Sequence, residues 1–127
     1  MSITLRPTSS QHGTPVRILD AAERIVQARG FKAFSYGDVA AELSITTAAL
    51  HYHYPRKAEL GTALITRYSS RFASRLTALD GTCAGIKSKL DGYVGIYAEA
   101  LSQGRMCLCG MLAAEYLTLP ADMQEAV

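Results

Sequence analysis

Cysteine is scarce in this 127-residue chain. The three present, Cys83, Cys107 and Cys109, are odd in number and do not make a disulfide framework. With no apolar run at the start to serve as a secretory signal, the expected setting is the reducing cytoplasm. No apolar stretch approaches the roughly 20 residues a membrane-spanning helix needs, so no membrane partner is expected. Charge of one sign is lacking too: 13 Lys and Arg face 11 Asp and Glu, a net charge of +2. Seven basic and five acidic residues lie within the stretch ending at Leu60, and six of each follow it. That small excess does not by itself point to nucleic acid. There is no β-alternation and no internal repeat, and neither a Ser/His/Asp set nor paired carboxylates suggest an enzyme. What is present is 49% hydrophobic residues. That suffices for a real core in one domain, or one domain with a small appendage.

Helical punctuation organises the chain. Residues 1–14 are rich in Ser, Thr, Pro and Gly and read as a mobile tail. Thr14-Pro15 reads as an N-cap with proline at the first helical position, and Ile18, Ala22, Ile25 and Val26 recur at helical spacing. Gly30 reads as a left-handed stop, with Phe31 and Phe34 plugging the core. Ser35-x-x-Asp38 has the capping-box pattern and opens a short helix carrying Val39, Ala40 and Leu43. Ser44-Ile45 breaks it, Thr46 caps a third helix, and Leu50 and Tyr54 face inward from that helix. Two short helices across a three-residue turn have the anatomy of a helix-turn-helix. A long helix is expected from Arg56 or Lys57 to Leu79, where Asp80-Gly81 reads as a break. Leu60, Leu64, Tyr68, Phe72 and Leu76 give it an apolar stripe. Arg67, Arg71 and Arg75 form a second stripe, read as a solvated face or a positive flank toward DNA or an acidic partner. A fifth helix is expected over residues 84–102, buried through Ile86, Leu90, Tyr93, Val94, Tyr97 and Leu101. A sixth is expected from Cys107 to Leu119, and the start of a seventh over 122–127.

The stretch His51-Tyr52-His53-Tyr54-Pro55-Arg56-Lys57 is dense in hydrogen-bond donors of the kind that lie against sugar-phosphate. In a recognition helix, Thr47, Ala48 and Ala49 would meet base edges. Thr can hydrogen-bond a base, and small methyls can touch a thymine methyl. His51, Tyr52 and His53 would follow, partly on bases and partly on backbone. Lys57 would sit at the next helix N-terminus, where phosphate is attracted. Thr46 completes the DNA-binding set. Few of these side chains read bases in bidentate fashion, so two half-sites and a dimer on a near-palindrome are expected.

The segment from Ile18 to Leu64 resembles the DNA-binding part of TetR/AcrR-family transcriptional regulators. The most specific part is Leu50-His51-Tyr52-His53-Tyr54-Pro55-Arg56-Lys57-Ala58-Glu59-Leu60, similar to that family's L-Y-x-H-F-x-x-K-x-x-L. His51 stands where Tyr is common, and Ser44 and Ala48 where Gly is common. The resemblance implies an all-α chain. Residues 15–58 would be a homeodomain-like three-helix DNA-binding domain with a helix-turn-helix. Residues 59–127 would be the incomplete N-terminal part of a helical effector-binding and dimerisation domain. It also implies base contacts from Thr47, Ala48 and Ala49, and base or phosphate contacts from His51, Tyr52, His53 and Lys57. The implied partners are double-stranded DNA with a near-palindromic operator, a small-molecule or electrophilic effector, and a second copy in the intact protein.

Arg105 to Glu115 resembles a G-C-L-x-G-N-L-x-x-E segment in a branch of that family. The branch includes the N-ethylmaleimide-reductase repressor and acrylate-responsive regulators. Cys107 falls on its cysteine and Met111 replaces its Asn; a cysteine there can sense electrophiles. At a helix start near Arg105, Cys107 should have a lowered pKa. Tyr93, Tyr97, Met111 and Glu115 are the other effector candidates, though Tyr and Met at helical spacing also suit a core. The Cys107/Cys109 pair lacks two further ligands for zinc, so neither metal nor cofactor is expected. The expected function is a regulator, a repressor released by its effector. The alternatives are a small thiol redox protein using Cys107 or Cys109, and a truncated interaction protein pairing with a full-length relative.

Overall fold

A computed structural model describes residues 13–127, and all regular structure among them is helical. The helices are α1 (Thr14–Arg29), α2 (Tyr36–Leu43), α3 (Thr47–His53), α4 (Lys57–Thr82), α5 (Ile86–Ser102), α6 (Leu108–Ala114) and α7 (Ala121–Ala126). A single 3-10 turn, Tyr116–Thr118, joins the last two. Most of the expected tail lies outside the described residues, but Gly13 and Thr14 belong to α1. Gly13, not Thr14, is the N-cap, and its carbonyl accepts from Val16 and Arg17. Pro15 sits in the first turn, where a missing N–H costs nothing.

One continuous core runs through the molecule. Ile18, Ala21, Ala22 and Val26 of α1 meet Phe31, Phe34, Val39, Ala40 and Leu50, then Leu60, Leu64 and Ile65 of α4. The same core takes in Leu108 and Leu112 of α6, Leu119, and Met123 of α7. It therefore crosses the expected boundary at residues 58 and 59. Met123 seats where α4 has Gly61: a Cβ there would lie 2.4 Å from the Met123 sulfur and 3.0 Å from the Phe31 ring.

The short helices are fixed by their caps. Ser35 Oγ accepts from the Asp38 N–H (3.2 Å) and Asp38 Oδ2 from the Ser35 N–H (3.0 Å), a complete capping box. Thr46 Oγ1 accepts from the Ala49 N–H at 3.1 Å and starts α3. Ser44 turns the chain between them at φ 54° and ψ 43°, left-handed as expected from its place in the turn. Gly30 ends α1 at φ 89° but ψ 162°, so it is extended rather than left-handed helical. Glycine is needed there twice over, because a Cβ would also lie 2.7 Å from Glu115 Oε1.

Four expectations need correction. The α4 helix does not break at Asp80-Gly81. One glycine costs a helix only about 1 kcal/mol, Thr82 Oγ1 bonds back to the Ala78 carbonyl at 2.7 Å, and Asp80 pairs with Lys89 of α5. Its apolar stripe is buried only at the near end, and Leu76 is 38% exposed. The α5 helix begins at Ile86 and buries only Ile96; Ile86, Leu90, Tyr93, Val94 and Leu101 are exposed because no described element covers that face. The α6 helix starts after Cys107 and stops at Ala114, where the chain tightens into the 3-10 turn.

The arginine stripe is not a free flank. Arg67 donates to Asp20 (2.7 Å) and Glu23 (3.3 Å) of α1, with its side chain only 16% exposed. Arg71 lies 3.8 Å from the other Glu23 oxygen, and Arg75 bonds Glu99 of α5 at 2.6 Å. The Arg67 and Arg75 pairs tie α4 to the helices on either side of it.

Candidate nucleic-acid interface and thiol site

The face of α3 is set by its one fully buried residue, Leu50. With that side chain in the core, Thr47, Ala48, His51 and Tyr52 come to the surface one turn apart, and Tyr52 is 83% exposed. Thr46 is exposed beside them, while Ala49, His53 and Tyr54 are half-buried. The Tyr52 and His53 rings meet edge-on with centroids 5.1 Å apart. His51 has Nδ1 3.3 Å from the Pro55 carbonyl and its ring 4.7 Å from that of Tyr36.

Tyr36 is the residue that sequence reasoning missed. Its hydroxyl donates to the Tyr54 carbonyl at 2.7 Å, closing the C-terminus of α3, while its ring backs His51. Burial, then the Glu59 charge and Tyr54, push its pKa up to about 12, so it stays a donor throughout the working range. The available signal was an aromatic at the first position of α2.

Lys57 does not sit on the open face. Its ammonium donates to the Phe31 carbonyl at 2.8 Å and lies 4.6 and 4.8 Å from the Phe31 and Phe34 ring centroids. Burial lowers its pKa, opposed by the charges of Glu115 and Asp38. The carbonyl and the two ring faces are a better local partner than solvent for a half-buried cation.

The five effector candidates are not gathered around one cavity. Cys107 is the N-cap residue of α6 and accepts a hydrogen bond from the Tyr68 hydroxyl at 3.6 Å. Burial opposes its ionisation, but hydrogen bonds from the Gly110 backbone, Tyr68 and Cys109 outweigh it, and its pKa lies below the usual thiol value. The helix start and Arg105 are the expected causes; backbone groups at the start of α6 contribute, and Arg105 is not among the groups responsible. Cys109 goes the other way, raised by burial and by Cys107. Tyr93 and Tyr97 share a hydroxyl–hydroxyl bond of 3.0 Å on α5, against Phe72. Met111 is half-buried on α6.

Glu115 is engaged by the backbone of the loop after α1. Its carboxylate accepts from the Phe31 N–H (2.8 Å) and the Lys32 N–H (3.3 Å), so it caps the loop after α1. A second clasp joins the same regions. The Met106 N–H donates to the Gln27 main-chain carbonyl at 3.0 Å, and the Gln27 amide nitrogen donates to the Met106 carbonyl at 3.1 Å. The thiol at Cys107 therefore follows directly on a residue tied to α1. Among the described residues, its hydrogen-bond partners are Tyr68, the Gly110 backbone and Cys109.

Comparison with known proteins matches this architecture. Residues 18–64 fit the family model of bacterial regulatory proteins of the tetR family. The HTH-type transcriptional repressor NemR of Escherichia coli strain K12 is 24% identical over 124 residues, covering 93% of this chain and 61% of that protein. A TetR transcriptional regulator from Legionella pneumophila superposes with a TM-score of 0.84 at 34% identity, over 91% of this chain and 63% of that one. The reduced form of E. coli NemR superposes with a TM-score of 0.73 at 24% identity, over 90% and 60%, a likeness of fold. The chain thus spans about three-fifths of the length of these relatives. No described helix is long and apolar enough to cross a membrane. The capped helix-turn-helix thus lies within the segment that fits the tetR-family model, and the chain as a whole is similar in fold to tetR-family regulators.

Proposed function

We propose that the protein is a DNA-binding transcriptional repressor whose α3 enters the major groove. The observation that carries this reading is the exposed face of Thr47, Ala48, His51 and Tyr52 on a helix fixed from behind by Leu50 and Tyr36. Thr46, Thr47, Ala48 and Ala49 meet bases at the start of α3. His51, Tyr52 and His53 reach bases or the flanking backbone. Lys57 adds positive charge near the phosphates while bracing the loop behind them. Two copies in the intact protein read a near-palindromic operator, and a small-molecule or thiol-reactive effector releases it. The relative NemR, named as a repressor, supports the sign of regulation. The lowered Cys107 pKa supports that thiol as the reactive one.

The test is fluorescence anisotropy with a duplex selected from a random pool. Affinity should fall steeply as salt rises. Tyr52→Ala should weaken binding by about tenfold, and Thr47→Val should change the preferred sequence. Binding indifferent to salt and to both substitutions would overturn the reading. Alkylation by iodoacetamide should release DNA from the native protein and leave the Cys107→Ser complex intact.

A further inference from the structure

A cavity of about 220 Å³ lies between α1, α4, α5 and the connection from α5 to α6, apart from the effector candidates named above. Its charged lining is Glu23 and Glu99 against Arg71, Arg75 and Arg105, three cations to two anions. The anions are already committed. Glu99 bonds Arg75, and Glu23 is held by Arg67 from outside the cavity. Arg71 reaches Glu23 only at 3.8 Å, beyond hydrogen-bond distance. Arg105 makes no side-chain hydrogen bond or ion pair among the described residues, although it is half-buried. Two guanidinium groups with unused donors therefore line one half-open cleft.

Arg105 is held firmly. Its N–H donates to the Ala100 carbonyl at 2.9 Å, and Met106 beside it is clasped to Gln27. Gly104, at φ 70°, permits the tight reversal. Gln27 lines the cavity while only 4% exposed, and its side-chain oxygen has no partner among the described residues. Native structures seldom leave such an acceptor unpaired unless water or a ligand completes it. The apolar part of the wall is Phe72, Ile96 and Ala100, with the Tyr68 ring stacked on Phe72 at 6.2 Å.

Guanidinium groups with free donors select planar anions, and carboxylate is the smallest that takes two parallel bonds. A dry cavity of about 150 Å³ already accepts benzene. The present one has room for a ring and a carboxylate, and less than a drug-sized ligand requires. We propose that this cavity binds a single-ring aromatic carboxylate, with the carboxylate on Arg71 and Arg105 and the ring against Phe72, Ile96 and Ala100. Bound there, the ligand touches α4, α5 and the connection after α5 together. As an effector site it rests on the regulatory reading above; as a binding site it does not.

The experiment is isothermal titration calorimetry of the full chain, without DNA, using benzoate, benzamide and acetate. Benzoate should bind saturably in the millimolar range or tighter, with benzamide and acetate each at least about tenfold weaker. Arg105→Gln and Arg71→Gln should each weaken benzoate by about tenfold with unchanged helical circular dichroism. Glu99→Gln frees Arg75 and should tighten benzoate several-fold, a gain that misfolding would not produce. Benzamide binding as well as benzoate overturns the proposal. So does the absence of saturable heat in millimolar benzoate, or an affinity indifferent to all three substitutions. The readout contains no DNA, so its failure leaves the operator reading standing, and failure of a duplex to bind leaves the cavity result intact.

Discussion

The seven residues of α3 and the seventeen of α5 are held in opposite ways. Leu50 anchors α3 in the core, Thr46 caps its start, and Tyr36 closes its end. The α5 helix buries Ile96, meets α4 where Gly92 approaches Leu79, and leaves an apolar row from Ile86 to Leu101 uncovered. A helix too short to stand alone is thus the better fixed of the two. What an element presents is decided by what backs it, and its own length matters less. The exposed residues of α3 are polar or small on a rigid support, as a reading surface requires.

Core truncation gives the largest expected contrast. Leu50→Ala should cost about 3 kcal/mol in a urea melt, while Leu90→Ala on α5 should stay within about 0.5 kcal/mol. Equal losses would break the comparison. Next comes Gly61→Ala. The helix gains up to about 1 kcal/mol from alanine, but the new Cβ crowds Met123 and Phe31, and overpacking costs about 1–3 kcal/mol. A net loss near 1 kcal/mol is expected, and Met123→Ala in the same chain should reduce the crowding part. Ser44→Gly should work the other way, raising stability by about 0.5–1 kcal/mol through relief of the left-handed serine.

The smallest effect is a pH dependence of the α2 cap. Asp38 accepts from the Ser35 hydroxyl and N–H, and these bonds, with Arg29 and Lys57 nearby, hold its pKa below the usual carboxylate value. A depressed folded pKa means that the contribution is complete above the unfolded value near about 3.9 and disappears as pH falls through the folded one. Thermal melts of the native protein and Asp38→Asn should therefore converge in acid and separate at neutral pH.

The caps of α2 and α3 and the turn between them were legible in the sequence because their physics is local. Ser35 with Asp38, Thr46 with Ala49, and the left-handed Ser44 each involve residues within three positions. The start of α3 and much of its exposed face followed from them. Features set by distant partners were not legible. The apolar stripe of α5 looks like any buried face, and only the absence of a covering element exposes it. Arg67 looked like part of a solvated row because Asp20 and Glu23 lie more than forty residues away. Nothing in the sequence shows that Lys57 and Glu115 both bond the loop after α1, one through a carbonyl and the other through two N–H groups. Arg105 was noticed only as a neighbour of Cys107, and its position on a cavity needed the clasp between Gln27 and Met106.

The seat of Met123 on Gly61 and Phe31 has a consequence for biosynthesis. The ribosome finishes α1 to α3 long before it reaches Met123, so the part of the Phe31 surface beside Gly61 that Met123 closes off is covered last. At about 5–20 residues per second, the first three helices wait several seconds with part of that aromatic surface uncovered. During that interval a chaperone, or a neighbouring nascent chain, can reach a surface that the finished molecule hides.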